Sequence, residues 1–473
     1  MASVVSKKDE AFRQYALKAA PMKVLLGTCA PLALFQALQS VFKILDAMMA
    51  SHIGSDAVSA VSCLSQITTM VTALGGGLAV GGCIKISEAY GRGDYNAVRH
   101  RVATVYAMAV SVSIVLAATM IPFAKPFLRL LQTPEDLITV GTGYFRIEIL
   151  TLVINFFNTV YLAIERSRGH AKKILALNMV IVVVKLCLSA LFVYVLHCNL
   201  VMIAVATLVG QGLLLCYAVF TMTRDEGAFR FSVRNIRMKR DTTMPILNLA
   251  YPVSAEKMLF AAGKVVVNSM SGLYGGLTVG ALGISNNIGG LTTSWHMGFN
   301  DGAAPLISQN RGAGQYKRTL QLYWRLLIID VAIGVVGLVL VSQFLPWLAR
   351  IFAQSEAEFD QTFCDMIISI HRWEMLGYIT LGINSATIAL LLGYGYTKLT
   401  LLLNVARVFA FRVPVLWFLQ KFSDMGAEAV GVTMMVSNVC VGITAVVVAI
   451  PVLLKIRRLI REEEEHDHAA LHR

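Results

Sequence analysis

The sequence predicts an all-α integral membrane protein with twelve transmembrane helices in two pseudo-symmetric six-helix bundles. Hydrophobic residues make up 56% of the 473 residues and charged residues only 15%. With a mean hydropathy of +0.66, this leaves too little polar surface for a water-soluble protein of this length. Apolar stretches of about 20 residues, each able to cross a hydrocarbon core of roughly 30 Å, recur along the whole chain.

The second half of the chain repeats the first. Residues 31–95 align with residues 252–316 at a constant offset of 221, without one gap. The register pairs Pro31 with Pro252, Lys43 with Lys264, Gly77 with Gly298 and Gly81 with Gly302. A second register, at an offset of 226, pairs Glu148 with Glu374 and Asn158 with Asn384. In a membrane protein, repeated halves are the usual architecture of a transporter that rocks two bundles around a central site.

Six spans are expected in each half, and they are numbered 1 to 12 in chain order. Their approximate ranges are 24–52, 57–86, 98–121, 137–165, 173–196, 198–222, 244–273, 277–308, 319–345, 362–392, 397–420 and 427–454. A polar segment from Arg224 to Asp241 lies where the halves meet and is interpreted as a linker. The predicted organisation is an N-lobe over 1–223, a cytoplasmic linker over 224–241, a C-lobe over 242–456 and a charged cytoplasmic tail over 457–473.

The orientation follows from lysine and arginine, because basic loops stay on the cytoplasmic side. With the N-terminus inside, the external loops would contain four of the 41 basic residues, namely Lys125, Arg129, Arg350 and Lys421. Both termini are therefore expected in the cytoplasm of a multi-pass protein of the plasma (inner) membrane. The same asymmetry explains the net charge of +13 without a nucleic-acid partner, since the basic residues are dispersed over seven segments.

The cysteines and the N-terminus carry no further signal. The eight cysteines show neither CxxC nor Cys/His spacing, so neither disulfides nor a zinc site is predicted. The first 20 residues lack an apolar core followed by a small-residue cleavage site, and span 1 is expected to act as its own insertion signal. We expect no cofactor.

Span 1 carries a polar stripe on an otherwise apolar helix. Gln36, Gln39, Lys43 and Asp46 follow the i, i+3, i+7, i+10 spacing of one helical face. Ionisable side chains inside a span are costly unless they are paired or face water. The stripe therefore favours a water-filled cavity, and a Lys43–Asp46 pair that only fixes helix packing is the alternative.

Spans 4, 7 and 10 carry similar polar residues on helices matched by the repeat. In spans 4 and 10 an arginine stands two residues before the glutamate, and residues two apart do not face each other on a helix. A purely structural network between helices is therefore the alternative to a substrate role. The candidate cavity residues are Gln36, Lys43, Glu148, Asn155, Asn158, Lys257, Lys264, Asn268, Arg372, Glu374 and Asn384.

Several segments resemble the multidrug and toxic compound extrusion (MATE) family of the multidrug/oligosaccharidyl-lipid/polysaccharide exporter superfamily. Span 1 ends in KILDAMMASHIG and span 2 in a Gly-x-Gly loop, GRGD; the second half repeats this with YPVSAEKMLF and ISQNRGAGQY, and LLGYGYTK resembles the loop after span 10. The resemblance covers essentially the full chain. It implies two six-helix bundles that export small organic, often cationic, compounds in exchange for sodium ions or protons. We expect a monomer.

The resemblance implies that Asp46, Thr207 and Glu256 couple transport to an ion, and Lys185 joins these candidates through a departure from the family pattern. In the sodium-coupled branch, span 5 offers an Asn and an Asp near the span 1 aspartate and a span 6 threonine. Here Lys185 and Ser189 stand at those positions, while Thr207 is retained. A sodium ion needs several oxygen ligands, so an Asp46–Lys185 pair that protonation breaks is predicted instead.

Two other function classes stay open. A flippase for a lipid-linked or anionic precursor would need a cationic cavity for phosphate. Six cations could supply it, namely Lys43, Arg146, Lys185, Lys257, Lys264 and Arg372. A membrane enzyme could use the HRWE sequence at 371–374 for acid/base chemistry, but no nucleophile or metal-ligand spacing joins it. The chain is therefore not expected to be an enzyme.

Overall fold

The structure is a computed structural model composed of α-helices with short 3₁₀ and π segments. Its backbone is described over 6–51, 55–122, 135–196, 200–225, 227–353 and 361–471, and its side chains over 6–42, 72–122, 143–196, 201–225, 227–351 and 361–465. The helices are α1 (Lys7–Lys18), α2 (Pro21–Ser51), α3 (Ser55–Arg92), α4 (Tyr95–Met120), α5 (Glu135–Ser167), α6 (Ala171–Ala190), α7 (Leu200–Arg224), α8 (Arg240–Ser271), α9 (Gly276–Gly312), α10 (Tyr316–Ala353), α11 (Gln361–Glu374), α12 (Tyr378–Gly393), α13 (Thr397–Val405), α14 (Val413–Phe422) and α15 (Glu428–Leu471).

These helices cover all twelve predicted spans, and the all-α fold class is confirmed. Within the described residues, nine helical segments are long and apolar enough to cross a membrane. The helices at spans 2, 7 and 8, which are α3, α8 and α9, are not among those nine. The helices of spans 7 and 8 carry ionisable residues inside the predicted spans, among them Glu256, Lys257 and Asp301.

Spans 10 and 11 were predicted as continuous helices, but both are interrupted. Span 10 changes to a 3₁₀ turn at Met375–Gly377, between α11 and α12. Span 11 contains a π-helical segment at Ala406–Arg412, between α13 and α14. Such short irregular turns inside helices are frequent at functional sites.

The chain divides into two compact units, and each unit draws on both halves of the sequence. Unit 1 contains Met1–Tyr15 and Val41–Met258, and unit 2 contains Ala16–Ser40 and Leu259–Arg473. The two homologous helices α2 and α8 therefore each contribute one part to each unit. The predicted lobe boundaries at 223 and 242 stay a prediction.

In unit 1, two glycines of α3 lie directly against the backbone of α8. A methyl group on Gly77 would lie 2.6 Å from the carbonyl oxygen of Ala250, and one on Gly81 would lie 2.9 Å from the Ala250 nitrogen. Small residues four apart let two helix backbones approach closely in a membrane. The glycine run at 75–82 is therefore a packing surface for α8.

Unit 2 repeats this contact with the partners that the internal repeat predicts. A methyl group on Gly298 of α9 would lie 2.1 Å from the Ala33 Cα, and one on Gly302 would lie 3.1 Å from the Cys29 Cα. Ala33 and Cys29 of α2 are the counterparts, at an offset of 221, of Ser254 and Ala250 in α8. The second-span helix of each half thus packs on the first-span helix of the other half.

The end of unit 1 that carries the N-terminus is held by a buried ion cluster around Arg168. Its guanidinium binds Asp9 of α1 at 3.0 and 3.1 Å, Glu165 at 3.2 Å, and Asp225 after α7. Burial alone would lower the pKa of Arg168, but the three carboxylates outweigh this effect and the pKa lies above its usual value. The cluster fixes α1 to the ends of α5 and α7.

The linker between the halves is folded onto unit 1. Phe229 packs edge-on against Tyr90, with ring centroids 5.2 Å apart, and Phe231 does the same with Tyr106 at 5.6 Å. Further along, the hydroxyl of Thr104 donates to the carbonyl of Arg237 at 3.3 Å and accepts from its backbone N–H at 3.2 Å. From residue 227 onward, the predicted linker is thus a folded part of this unit.

Candidate functional site

A buried polar cluster lies in unit 2, where the interruptions of spans 10 and 11 meet α9 and α15. We use the name "polar cluster" for Ser285, His371, Glu374, Tyr378, Arg407, Arg412, Ser437 and Asn438. Seven of these side chains are buried, and Arg407 is half-buried. Buried polar groups at such a density are expensive in a membrane protein and mark functional sites.

One side of the polar cluster is a chain of hydrogen bonds that ends on a carboxylate. Ser285 donates its hydroxyl proton to Glu374 Oε2 at 2.6 Å, and the hydroxyl oxygen of Ser285 lies 2.8 Å from His371 Nδ1. Because a hydroxyl carries one proton, this second contact requires the proton to be on Nδ1. In a neutral ring, His371 Nε2 then accepts from the hydroxyl of Tyr378, 2.8 Å away. The bonds all point toward Glu374.

The other side contains two arginines aligned by the π segment. Arg407 and Arg412 are five residues apart, and a π turn, with its i to i+5 bonding, places such residues on the same side. Both donate to Asn438 Oδ1, Arg407 at 2.8 and 3.2 Å and Arg412 at 3.3 Å. Arg412 also donates to Ser437 at 2.9 Å and interacts electrostatically with Glu374.

A predicted residue lies at the edge of the polar cluster. The ring of Phe260 in α8 has three cations around it, with the Lys264 ammonium 5.3 Å, Arg407 5.6 Å and Arg412 6.0 Å from its centroid. Cations within about 6 Å of an aromatic face are attracted by its negative charge density. Lys264 is exposed and connects the polar cluster with the surface of unit 2.

A second buried polar pair lies on α9 and α10. His296 Nδ1 contacts Asp330 Oδ1 at 2.9 Å, and both residues are buried. The other polar atom of each side chain, His296 Nε2 and Asp330 Oδ2, has no hydrogen-bond partner among the residues whose side chains are described. The backbone of Gly382 in α12 packs over Asp330, because a methyl group there would lie 2.5 Å from its carbonyl oxygen.

The span 1 stripe is described only in its first part. The amide of Gln36 donates to Asp301 of α9 at 3.2 Å, and Ser40 shares a hydrogen bond with Ser294 of the same helix. Lys43 and Asp46 lie outside the residues whose side chains are described, so the predicted Asp46–Lys185 pair stays a prediction.

In unit 1, two predicted residues from different helices come together. Glu148 of α5 and Lys185 of α6 are both half-buried and interact electrostatically. Asn158 is buried and donates to the carbonyl and the side-chain oxygen of Gln211 in α7, at 2.9 Å each. Thr207 donates within its own helix to Ile203 at 3.2 Å. Among the described residues, Lys185 of span 5 thus interacts with an acidic residue of span 4, Glu148.

The remaining predicted residues are dispersed. Glu256 and Asn155 are half-buried, Asn268 is exposed, and Lys257 is exposed with its ammonium against Gly76 of α3. Asn384 is buried, and its Oδ1 has no hydrogen-bond partner within the described part of the chain. Arg372 is directed away from the polar cluster, since its side chain is 63% exposed and pairs with Glu428 at 3.5 Å. Of the HRWE residues, only His371 and Glu374 belong to the polar cluster.

Glu374 was predicted from the sequence, but most of the polar residues that the structure places in unit 2 were not. Arg407, Arg412, His296 and Asp330 are all ionisable residues inside predicted spans. Ionisable residues inside spans are functional candidates, as for Glu148 and Lys264, and these four residues meet the same criterion. Ser285, Ser437 and Asn438 gave no comparable signal, because small polar residues are common in membrane helices.

Comparisons with known proteins match the chain over nearly its whole length. The MatE family model matches residues 31–191 and 252–418, and its two copies begin at the prolines that open the internal repeat. Probable multidrug resistance protein YpnP of Bacillus subtilis is 23% identical over 412 residues, which are 87% of this chain and 90% of that protein. The relative thus spans both halves of the repeat.

Solved structures show the same fold. A MATE structure in complex with MaL6 has a TM-score of 0.90 at 19% identity and covers 97% of this chain and 100% of its own. A transporter of the MOP superfamily from Pyrococcus furiosus, described as having a binding pocket of reverse polarity, has a TM-score of 0.88 at 18% identity, with 96% and 99% covered. These likenesses confirm the predicted twelve-helix fold.

Proposed function

The chain belongs to the MatE family, and we propose that it exports small organic, cationic compounds in exchange for protons. As a member of this family it is a multi-pass membrane transporter and not an enzyme, as the sequence predicted. The plasma membrane location, the cytoplasmic termini and the monomeric state are part of the proposal. So is the role of the predicted cavity residues, Gln36, Lys43, Glu148, Asn155, Asn158, Lys257, Lys264, Asn268, Arg372, Glu374 and Asn384.

The hydrogen-bond chain that ends on Glu374 is the observation that carries the proposal. With an ionised Glu374, Ser285 donates to the carboxylate and His371 Nδ1 donates to Ser285. If Glu374 takes up a proton and donates it to Ser285, each bond must reverse, and Tyr378 becomes an acceptor from His371 Nε2. One proton on the carboxylate thus reorganises side chains on three helical segments, α9, α11 and α12. Such a two-state element can bias a transport cycle.

The surroundings of Glu374 suit a proton better than a sodium ion. Hard cations such as sodium need several oxygen ligands, whereas the described neighbours of Glu374 are the Ser285 hydroxyl, which donates to it at 2.6 Å, and the His371 imidazole, 3.6 Å away. A buried carboxylate can instead be neutralised by a proton. The proposal assigns a second proton-responsive element to unit 1, where Asp46 would compete with Glu148 for Lys185, next to Thr207.

Transport in liposomes is the direct test. The purified protein is reconstituted with a fluorescent organic cation, and a proton gradient and a sodium gradient are imposed in separate experiments at the same membrane potential. We expect dye movement with the proton gradient and not with the sodium gradient. Movement with sodium alone would contradict proton coupling, and movement with neither would contradict cation transport by antiport.

An anionic substrate is the second candidate, and one observation favours it. The polar cluster contains two arginines but a single carboxylate. A third cation, Lys264, lies beside them, since all three contact the ring of Phe260. Paired guanidinium groups are well suited to phosphate and carboxylate. The Pyrococcus furiosus transporter, which has the same fold, is described as having a binding pocket of reverse polarity, and this description supports the second candidate.

Replacing Glu256 with Gln distinguishes the two candidates. If Glu256 neutralises the charge of a cationic substrate, the variant should transport the cation at least about tenfold more slowly, equivalent to about 1.4 kcal/mol, and transport an anionic dye unchanged. The two dyes are compared in the same vesicles, and Glu256→Asp serves as the control that keeps the charge. An equal loss for both dyes would assign Glu256 a structural role, and faster anion transport would favour the second candidate.

A further inference from the structure

A cationic cavity of about 480 Å³ lies in unit 1, apart from the residues assigned to transport. Its lining includes three arginines, Arg99 of α4 and Arg230 and Arg234 of the linker, together with Phe231 and Asn235. Among the described residues, none of the three arginines takes part in an ion pair, and none of the residues lining the cavity is acidic. Three guanidinium groups facing one cavity repel one another, and an anion bound there would relieve this repulsion.

The fold holds the cavity in shape. The rings of Phe229 and Phe231 are packed against Tyr90 and Tyr106, and Arg230, which stands between the two phenylalanines, is exposed. The 3₁₀ turn Val233–Asn235 then carries Arg234.

The same turn is fastened to α4, the helix that supplies Arg99. His100 Nδ1 contacts the carbonyl of Asn235 at 2.9 Å, and Thr104 binds the backbone of Arg237. The backbone that carries the linker arginines is therefore held in place relative to Arg99, and a site with a preformed backbone loses less conformational entropy when it binds a ligand.

From this geometry we infer that Arg99, Arg230 and Arg234 form a binding site for a phosphate-bearing anion. The planar guanidinium group donates two parallel hydrogen bonds to phosphate oxygens, which makes arginine the preferred side chain for this chemistry. The phosphate can belong to an anionic phospholipid or to a soluble compound, because the positive charge of the three arginines attracts either anion.

The surface around the cavity favours the lipid headgroup. Val233 is 71% exposed and Met238 is 57% exposed, and they alternate along the linker with the exposed cations Arg234, Arg237 and Lys239. Segments that expose apolar and basic side chains together lie at the membrane surface, where basic pockets bind anionic headgroups. A lipid bound here would tie the linker, and with it the connection between the two halves, to the bilayer.

Thermal unfolding of the full-length protein tests this site. The melting temperature is measured in a neutral detergent with added dioctanoyl phosphatidylglycerol, dioctanoyl phosphatidylcholine or inorganic phosphate, for the parent protein and for the triple variant Arg99→Gln, Arg230→Gln, Arg234→Gln. A ligand that binds only the folded state raises the melting temperature. We expect phosphatidylglycerol to raise it in the parent, phosphatidylcholine to have no effect, and the triple variant to bind phosphatidylglycerol at least tenfold more weakly.

A charge-matched variant provides the control. Arg457→Gln, Arg458→Gln, Arg461→Gln removes three exposed arginines from α15, far along the chain from the cavity, and should keep the full response. If inorganic phosphate alone raises the melting temperature of the parent protein, and the cavity variant loses this response, the proposed site is supported and its ligand is a soluble phosphate compound. Equal losses in both triple variants, or no response of the parent protein to either phosphatidylglycerol or inorganic phosphate, would overturn the proposal. If the cavity triple variant does not fold, Arg230→Gln alone, at an exposed position, gives the same comparison.

Discussion

Replacing Glu374 with Gln is expected to abolish proton-driven transport while substrate exchange without a gradient continues. Gln is nearly the same size and can still accept the hydroxyl proton of Ser285, but it cannot take up and release a proton in this pH range. The hydrogen-bond chain through His371 to Tyr378 would then stay in one direction. The measurement compares uptake of a labelled substrate under a proton gradient with counterflow at equal pH, and we expect at least about a tenfold loss only in the former.

The same variant also changes the charge balance of the polar cluster. Arg407 and Arg412 would lose the carboxylate with which they interact electrostatically, and removing one partner of a buried charge pair costs about 3–5 kcal/mol. The melting temperature of Glu374→Gln must therefore be measured with its transport rates. Glu428→Gln is the matched control, because Glu428 lies in the same unit but binds Arg372 and Trp373, outside the polar cluster. Proton-driven uptake at the parent rate in a folded Glu374→Gln protein would refute the proposed role.

The sequence predicted the spans well because hydrophobic length is a local property. Twenty apolar residues must form a helix in a bilayer, since no other local structure satisfies the backbone groups. The breaks at Met375–Gly377 and Ala406–Arg412 were not predictable in this way. A methyl group at Gly377 would lie 2.5 Å from the Cβ of Asn438, and Arg407 and Arg412 both bind that residue. These irregular turns thus accompany packing between distant segments, which a reading of local hydropathy does not detect.

The candidate site was predictable in part, because a charged residue inside an apolar span is also a local feature of the sequence. The cost of a charge in a span identified Glu374 and Lys264, and it would have identified Arg407 and Asp330 if applied to every span. The partner of each charge was not predictable from spacing. Glu374 binds Ser285 on a different helix, 89 residues away, and its neighbour Arg372 faces the other way and binds Glu428. Helical periodicity gives the face of a residue but not the helix that packs against that face.

The internal repeat had a consequence that alignment alone did not reveal. It matched α2 with α8 and α3 with α9, but it did not show that each first-span helix packs on the second-span helix of the other half. The contacts of Gly77 with Ala250 and of Gly298 with Ala33 are the two copies of this arrangement. If the exchange is a requirement of the fold, these glycines should tolerate no side chain at all.

Gly298→Ala is therefore expected to destabilise unit 2 strongly, although alanine favours a helix by about 1 kcal/mol over glycine. The added methyl group would lie 2.1 Å from the Ala33 Cα and 2.5 Å from its nitrogen, and backbone atoms cannot move aside as the end of a side chain can. Overpacking of this kind costs typically 1–3 kcal/mol and occasionally more. For a unit of this size we expect the melting temperature to fall by roughly 5 °C or more.

The same substitution at Gly283, on the same helix, provides the comparison. Gly283 is exposed and a methyl group there meets no atom within 4 Å, so Gly283→Ala should leave the melting temperature unchanged or raise it. Gly77→Ala should reproduce the loss in unit 1, where the carbonyl of Ala250 lies 2.6 Å from the added methyl group. Thermal unfolding of the three purified variants tests whether the close contacts of Gly298 and Gly77 stabilise the protein. Equal melting temperatures for Gly298→Ala and Gly283→Ala would show that α2 and α9 can separate without cost, and the exchanged packing would then not be what stabilises the unit.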